Sequence, residues 1–397
     1  MTDIAHPAQT AQPPGLSLPQ SMLIAVIGFL TLVDLFATQA ILPSLAQIYD
    51  VAPAKIGLAA NASTLGMAIS GLLMGVVSGA LERKKAIAFS LFFLSFPTAL
   101  LAFAPSLPVF AILRVTQGLF MAAAFTLTLA HLAERCAVRT ANALAAYVTG
   151  VVASNLIGRL TAAYVASIVG AEQSFLFFAL LNLAGAALVT ATLHKNAPEP
   201  MVRMGRFWAP WLEQLADPAL RRTFAIGFLI LFGFIGVFTY VGFVLMRPPH
   251  ALSMTALGLV FLVFLPSMIT TPLAGSVARS TGPGPACSIS LAVALLGLVL
   301  LLVPSLFSVI AGMTLVGVGT FFAQAVATGH VGRIAKSHKA AASGLYLSSY
   351  YCGGLAGAAV IGTLFDSFGW AAAVAGVFVS LAFAAVLGLG LRQKEFQ

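Results

Sequence analysis

Long apolar runs follow one another along almost the whole chain and are separated by short polar or Pro/Gly-rich breaks. A helix of about 20 residues is long enough to cross the roughly 30 Å hydrocarbon core of a bilayer. Cutting the chain at the polar breaks predicts twelve spans, over residues 21–43, 56–80, 86–104, 107–130, 141–166, 174–193, 223–246, 254–278, 285–304, 306–330, 341–365 and 370–391. We therefore expect an all-α integral membrane protein with twelve transmembrane helices.

The longest polar segment, residues 194–222, lies almost at the middle of the chain. It predicts two six-helix bundles, an N-terminal one over 21–193 and a C-terminal one over 223–391. The two tryptophans and alternating charges of the linker indicate an amphipathic helix on the cytoplasmic surface, and a flexible linker is the alternative. We expect residues 1–20 to form a disordered cytoplasmic tail and 392–397 to form a second cytoplasmic tail.

The two halves carry a weak internal repeat. The stretch YVTGVVASNLIGRL, from Tyr147, resembles YYCGGLAGAAVIGTL, from Tyr350. Tyr147 aligns with Tyr350 and Gly150 with Gly353 at the same offset of 203 residues. Parallel repeats of this kind are typical of secondary transporters in which the substrate site lies between the halves near mid-membrane. The repeat predicts two pseudo-symmetric bundles.

Composition excludes a soluble protein. The chain is 60% hydrophobic and 8% charged, whereas soluble domains carry about 25% charged residues. All but four of the 20 Lys and Arg residues fall in loops or tails that one topology places in the cytoplasm, the exceptions being Lys55, Arg247, Arg114 and Arg159. By the positive-inside rule both termini are cytoplasmic, which indicates a multi-pass protein of a bacterial inner membrane. The net charge of +9 then reflects topology and anionic lipid, and we expect no nucleic-acid partner.

Particular motifs resemble a known family. The first span reads FATQAILPSLAQIY, with Gln39 and Pro43, and the fourth reads RVTQG, with Arg114 and Gln117. Over its whole length the chain resembles the major facilitator superfamily, and within it the twelve-helix drug/sugar efflux proton-antiporter branch. The fifth span, GVVASNLIGRL, is similar to that branch's glycine-rich antiporter motif, although it lacks the usual Gly-Pro pair and carries Arg159.

The resemblance implies two six-helix bundles that rock about a central site formed mainly by helices 1, 4, 5, 7, 8, 10 and 11. The loop after the second span departs from the family pattern, because Gly79 stands where the family has an aspartate. Glu82, Arg83 and Lys84 remain as charges there, and Arg279 occupies the acidic position of the equivalent loop in the second half. These four charged residues are the candidate gating residues of the cytoplasmic loops.

Asp34 is the only carboxylate well inside a predicted span. Thr31, Asp34 and Thr38 share one helix face. Asp34 lies roughly 13 Å and Arg114 roughly 10 Å from the same membrane surface at 1.5 Å per residue. Intramembrane ionisable groups are costly and by default functional, so we expect Asp34 and Arg114 to be the proton-coupling residues. The alternative is a static, neutralised pair that only fixes helix packing.

Other polar and soft apolar residues lie on the predicted cavity faces. Arg159 has three interpretations: it reaches the external surface by snorkelling, it shares Asp34 with Arg114, or it binds an anionic substrate. Pro266 and Pro272 should kink or break the eighth helix. The candidate substrate-cavity residues are Thr31, Thr38, Gln39, Gln117, Met121, Phe125, Tyr147, Asn155, Arg159, Tyr346 and Tyr350.

Three functional hypotheses follow. The first is a secondary active transporter that uses protons to drive efflux of small hydrophobic or amphipathic compounds by alternating access. The second is exchange or symport of a small organic anion or metabolite bound by Arg114 and Arg159. The third, a non-transporting scaffold or receptor, has no use for these intramembrane polar groups.

The sequence has no nucleotide-binding loop, metal-ligand cluster or defensible Ser/His/Asp set. We therefore expect no enzymatic activity, no metal and no cofactor. The expected partners are a small-molecule substrate, protons and the lipid bilayer, and we expect the chain to work as a monomer.

Overall fold

Twelve long helices make up the computed structural model, which describes residues 17–135, 140–194 and 208–391. They are α1 (Leu18–Ala40), α2 (Pro53–Ala80), α3 (Arg83–Leu101), α4 (Leu107–Leu132), α5 (Ala143–Val169), α6 (Ser174–Thr192), α7 (Pro218–Leu245), α8 (Met254–Thr281), α9 (Pro283–Leu300), α10 (Leu306–Ile334), α11 (Lys339–Phe368) and α12 (Trp370–Leu389). Each is long and apolar enough to cross a bilayer, and no strand occurs in the described ranges. The predicted fold class is confirmed.

Local capping sets where the first helix of each half begins. Ser17 and Gln20 form a capping box at the start of α1, in which each backbone N–H donates to the other side chain. Asp217 caps α7 by accepting from the Ala219 N–H at 2.8 Å, and Pro218 follows it as the first helical residue. Both helices therefore begin a few residues before the apolar runs at 21 and 223.

The described part of the linker forms a short helix, Ala209–Ala216. Its Trp211 and Gln214 are buried, and the Gln214 amide donates to the Ser337 carbonyl at 3.2 Å in the turn before α11. Leu212 points outward and is exposed. The rest of the predicted linker and the predicted tails fall largely outside the described residues, at 195–207, 1–16 and 392–397.

The internal repeat corresponds to a repeated helix contact. Gly150 of α5 lies so close to α1 that a Cβ there would stand 1.8 Å from the Ala25 carbonyl oxygen. Gly353 of α11 approaches α7 in the same way, with a Cβ position 2.0 Å from the Phe228 carbonyl oxygen. Both partners are offset by 203 residues, from 25 to 228 and from 150 to 353. The two halves therefore pack their first and fifth helices alike, as the pseudo-symmetry predicts.

Two of the twelve helices are broken. In α2 the α-helical segment Pro53–Asn61 ends at Ala62, and a second segment, Ser63–Val77, begins there. In α8 the helix changes to 3-10 geometry over Phe261–Phe264 and again over Thr271–Leu273. Pro266 follows the first 3-10 turn by two residues, and Pro272 lies within the second. Proline interrupts an α-helix because it removes a backbone donor and clashes with the preceding turn. The predicted break in the eighth helix is confirmed.

The halves close against each other at one end of the bundle. We call the end where α1 begins and α12 ends the terminal end, and the opposite end the distal end. Around the distal end, helices of the first half touch α7, α8 and α11 of the second half. Among the contacts that join the halves there are Ala54 with Asp366, Gly57 with Tyr240, and Ala163 with Gly258.

Toward the terminal end the halves diverge at α5 and α8. The first three segments of α8, from Met254 to Thr270, contact α5, whereas the last segment, Ala274–Thr281, packs mainly on α9 and α10. Helices α2 and α11 stay together farther along, where Gly75 lies against Gly344. Among the described residues the structure is thus closed at the distal end.

We expect Gly150→Ala and Gly353→Ala each to lower stability by about 1–3 kcal/mol or more, because the added methyl overlaps a carbonyl oxygen of the neighbouring helix. Thermal unfolding of the purified protein in detergent measures this loss. Gly329→Ala in α10 is the matched control, since a Cβ there meets nothing within 4 Å. Equal melting temperatures for all three variants would contradict the close approach of the helices.

Candidate functional site

Asp34 lies inside the first half and is buried, at 3% exposure. Its Oδ2 accepts a hydrogen bond from the Asn182 amide of α6 at 2.8 Å. The same amide donates to the Thr98 hydroxyl of α3 at 3.2 Å, and the Gln117 amide of α4 donates to that hydroxyl at 2.7 Å. The carboxylate is therefore bound by α6 of its own half, and Asn182 connects it to side chains of α3 and α4.

Sequence reasoning missed Asn182 and Thr98. Asn182 carried a usable signal, because it is a lone amide in the otherwise apolar run SFLFFALLNLAGAAL. Thr98 carried a weaker one, since a threonine hydroxyl in a helix commonly bonds its own backbone, as Thr98 also does to the Leu94 carbonyl.

Arg114 is fully engaged by the first half. Its Nε donates to the Ala60 carbonyl at 2.7 Å and its Nη2 to the Ser63 hydroxyl at 3.0 Å, on either side of the break in α2. Its Nη1 donates to the Gln117 side chain at 2.6 Å and to the Asp34 backbone carbonyl at 3.3 Å. A helix break leaves carbonyls without intrahelical donors, and Arg114 supplies them.

The expected side-chain pair between Asp34 and Arg114 is therefore absent. Within the described part of the chain, no ion pair joins the Asp34 carboxylate to the Arg114 guanidinium. The two residues are instead linked through a ring of hydrogen bonds. The ring runs from Arg114 to Gln117, Thr98, Asn182, the Asp34 carboxylate and back through the Asp34 carbonyl. We call these five residues the Asp34 ring.

Arg159 occupies a different place, at the interface between the halves. It is 0% exposed, so the snorkelling interpretation is wrong. Its Nη2 donates to the Gln39 side chain of α1. Four phenylalanine rings surround the guanidinium carbon at centroid distances of 4.4–5.7 Å: Phe36 of α1, Phe238 of α7, and Phe261 and Phe264 of α8. We call these rings the aromatic cage.

The physical reason is the 3-10 segment of α8. It presents Phe261 and Phe264 together to α5 and closes the path by which the Arg159 side chain would reach the distal surface. A desolvated cation–π contact contributes about 2 kcal/mol, whereas an unpaired buried ion costs several kcal/mol. The aromatic cage offsets only part of the cost of burying Arg159.

A polar chain crosses between the halves beside the cage. Arg159 donates to Gln39, and the Gln39 amide donates to the Asn61 side chain at 3.2 Å. Asn61, the last residue before the break in α2, donates in turn to the Thr239 hydroxyl of α7 at 3.1 Å. Three helices of the first half are thus joined by hydrogen bonds to the second half at the distal end.

The remaining cavity candidates divide between the two halves. Thr31 and Tyr147 share a 3.0 Å hydrogen bond, and the Tyr147 ring packs beside Phe125 at 5.7 Å. Thr38 and Met121 are buried, and the Thr38 hydroxyl donates to the Asp34 carbonyl at 3.2 Å. These residues line the interior of the first half.

In the second half, Tyr346 and Tyr350 of α11 stack on each other with ring centroids 6.2 Å apart. Tyr346 also packs closely on Gly227 of α7.

Asn155 belongs to the first half. It is buried on α5, one turn before Arg159, and both of its amide atoms lack hydrogen-bond partners. The structure therefore does not gather all the cavity candidates into one site.

The four candidate gating residues of the cytoplasmic loops lie in different surroundings. Glu82 pairs with Lys85 at 2.6 Å, three residues along the start of α3, so its carboxylate is held within the first half. Arg83 is buried, Lys84 is half-buried, and Arg279 lies in the last turn of α8. A gating role for Glu82, Arg83, Lys84 and Arg279 stays a prediction.

Twelve spans in two similarly packed halves, with buried polar clusters inside and between them, define a polytopic membrane transporter. Residues 24–262 match the Major Facilitator Superfamily, and this match covers more than half of the 397-residue chain. The chain belongs to the major facilitator superfamily, and as a member it carries a small-molecule substrate across the membrane.

Individual relatives are similar in sequence to this chain over nearly its full length. The inner membrane transport protein YnfM of Escherichia coli (strain K12) is 29% identical over 387 residues, covering 95% of this chain and 92% of that protein. An uncharacterised transporter of Buchnera aphidicola subsp. Schizaphis graminum (strain Sg) is 24% identical over 377 residues, covering 92% and 89%. The crystal structure of the human organic anion transporter MFSD10 has the same fold, with a TM-score of 0.71, 18% identity and coverage of 94% and 100%.

We expect Asn61→Ala to open the distal end in a larger fraction of molecules, because it removes the hydrogen bond to Thr239 across the halves. One such bond contributes about 1 kcal/mol, enough to shift a two-state equilibrium about fivefold. Spin labels at Phe103→Cys and Phe307→Cys, both exposed distal positions in different halves, report the separation by pulsed EPR.

The labelled background replaces the native cysteines Cys136, Cys287 and Cys352. Thr64→Ala is the matched control, since the Thr64 hydroxyl bonds only the Asn61 carbonyl within α2. An unchanged distance distribution in Asn61→Ala would show that the polar chain does not hold the distal end closed.

Proposed function

We propose that this transporter moves small amphipathic compounds in exchange for protons, and that Asp34 carries the proton. The observation that carries this proposal is a buried carboxylate without a direct ion pair. Asp34 accepts from a neutral amide, Asn182, and the nearby guanidinium of Arg114 is bound to backbone and side-chain oxygens instead.

A carboxylate in this setting responds to hydration. In its buried position the carboxylate loses water and accepts a hydrogen bond from a neutral amide, while the Arg114 guanidinium makes no direct ion pair with it. When rocking of the halves admits water to the first half, the charged form becomes favourable and the proton leaves. Asp34 can therefore hold a proton in one conformation and release it in the other.

The Asp34 ring gives this protonation a mechanical consequence. A change of charge on Asp34 alters its bond with Asn182, and Thr98 and Gln117 pass the change on to Arg114. Arg114 binds Ala60 and Ser63 on either side of the break in α2, and Asn61 in the same break bonds Thr239 across the halves. Protonation and distal closure are thus coupled through one helix break.

The direction of transport, the orientation in the membrane and the oligomeric state are proposed on other grounds. Efflux as the direction follows the resemblance of the Gln39, Pro43 and Arg114 motifs to the drug/sugar efflux branch. Cytoplasmic termini follow from the Lys and Arg distribution, and a bacterial inner membrane agrees with the printed name of YnfM. One chain contains both halves that alternate, so a monomer suffices for transport. Membership of a transporter family argues against a non-transporting scaffold or receptor.

An organic anion as the transported compound is the second candidate, and Arg159 favours it. The hypothesis that Arg114 also binds the anion is not supported, because each of its three nitrogens already donates to an oxygen of the first half. Arg159 has nitrogens without partners and stands between the halves, where a family member would bind its substrate.

We expect Asp34→Asn to abolish substrate-driven proton flux while the protein still folds, because Asn keeps the size and a hydrogen-bonding oxygen but cannot bind and release a proton. Proteoliposomes containing pyranine measure internal pH after addition of ethidium, tetraphenylphosphonium or 2-naphthoate. The Asp34→Asn signal should fall to that of protein-free vesicles for every compound that drives flux in the wild type.

Asp50→Asn is the matched control. Asp50 is an exposed carboxylate in the distal loop after α1, and its left-handed backbone (φ 49°) is one that Asn accepts readily. It should behave as wild type. Wild-type proton flux in Asp34→Asn would refute the proposed proton carrier.

A further inference from the structure

Arg159 is a buried cation without a counter-ion. Its Nε and Nη1 make no hydrogen bond to any described residue, and its Nη2 donates to the neutral Gln39 side chain. Within residues 17–135, 140–194 and 208–391, no carboxylate forms an ion pair with it. A buried arginine normally has its donors paired. The free N–H groups of Nε and Nη1 lie on different edges of the guanidinium, and each can donate to an oxygen of a carboxylate or phosphate.

A second orphaned group lies on the same face of the same helix. Asn155, Arg159 and Ala163 are spaced four residues apart on α5 and therefore form one stripe. Ala163 touches Gly258 and Arg159 touches Phe261 and Phe264, so this stripe faces α8.

Asn155 continues the stripe by one turn toward the terminal end. There α5 meets the next segment of α8, Leu265–Thr270. Both amide atoms of Asn155 are buried and unpartnered. Unpaired donors and acceptors thus occur at two successive turns of one helix face, which is rare for buried groups that have only a packing role.

We propose that Arg159 and Asn155 bind the anionic group of the transported compound, and that the aromatic cage holds its planar apolar body. This inference rests on the proposed function, because the ligand is the compound that the transporter carries. The anion would pair with the free N–H groups of Arg159, and the Asn155 amide would donate to it from one turn away.

The surroundings restrict the class of ligand further. The aromatic cage supplies apolar and π surface on three helices, which suits an aromatic or similarly flat body. One guanidinium neutralises one negative charge. The Asp34 carboxylate is bound by Asn182 inside the first half, so it is not placed to receive an ammonium group from the same ligand. The site therefore favours an aromatic monoanion over a dianion, a zwitterion or a cation.

Access follows from the position between the halves. Arg159 belongs to α5 of the first half, whereas Phe238, Phe261 and Phe264 belong to α7 and α8 of the second. When the distal end opens, these helices part and the guanidinium lines the opening. Toward the terminal end, the last segment of α8, Ala274–Thr281, packs mainly on α9 and α10, so α5 and α8 diverge there and offer the other approach.

Direct binding tests the ligand class. Purified full-length protein in phosphatidylcholine nanodiscs is titrated with 2-naphthoate, naphthalene-2,6-dicarboxylate and 2-naphthylmethylammonium, with isothermal calorimetry as the readout. We expect saturable binding of 2-naphthoate and weaker or no binding of the other two. Arg159→Gln should weaken 2-naphthoate binding about ten- to hundredfold, the range for loss of charged hydrogen bonds. Asn155→Leu should weaken it by a smaller factor.

The stability of the empty protein separates a ligand site from a structural brace. We expect Arg159→Gln to raise the melting temperature without ligand, because it removes an unpaired buried charge. Arg114→Gln is the matched control and should lower the melting temperature, since Arg114 is fully paired at the break in α2. A lower melting temperature for Arg159→Gln would show that Arg159 braces the fold and would overturn the proposal.

Two further outcomes would overturn it. One is 2-naphthoate binding that is undetectable in the wild type or equally tight in Arg159→Gln. The other is loss of 2-naphthoate binding when phosphatidylglycerol replaces part of the phosphatidylcholine, which would assign Arg159 to an anionic lipid headgroup. Proton flux in Asp34→Asn and 2-naphthoate binding in Arg159→Gln are measured separately, so a failure of proton coupling and a failure of anion recognition give different results.

Discussion

This structure depends on one constraint, which is that lipid offers no hydrogen bonds to polar groups. Arg114 and the break in α2 illustrate it. A polar group in the hydrocarbon region therefore costs free energy unless it finds a partner within the protein. A broken helix leaves carbonyls without donors, and a buried arginine brings donors without acceptors. Each satisfies the other where Arg114 binds Ala60 and Ser63. The Asp34 ring is built on this arrangement.

The same break connects the two polar clusters of the molecule. Ala60 and Ser63, which flank it, bind Arg114 and so belong to the environment of Asp34. Asn61, which lies between them in the sequence, bonds Gln39 and Thr239 and so takes part in distal closure. An event at the carboxylate and an event at the interface between the halves therefore act on consecutive residues of one helix. This provides a physical route between protonation and conformation over short, named contacts.

Arg159 shows the opposite solution to the same constraint. It is held between the halves by one neutral hydrogen bond and four aromatic rings, and two of its nitrogens remain unpaired. An arrangement of this kind costs folding free energy in the empty protein. In a transporter that cost has a use, because a ligand that supplies the missing charge gains affinity from the pairing. A carrier must satisfy such a group only in its loaded state.

Helix number, helix boundaries to within a few residues, the repeat at an offset of 203 and the break in α8 all follow from the sequence alone. The reason is that each depends on local properties, namely apolar length, small-residue spacing and proline. The tertiary structure decided the partners. Helical periodicity placed Asp34 and Arg114 at similar depth, but the break in α2 offered Arg114 closer acceptors, while Asn182 and Thr98 came from helices whose neighbours no periodicity reveals.

Likewise, the depth of Arg159 in α5 allowed it to snorkel, and only the packing of Phe261 and Phe264 from α8 closed that path. A sequence pattern tells which face of a helix a residue occupies. Which atoms meet that face depends on how distant helices cross and where they break, and only the folded chain determines this.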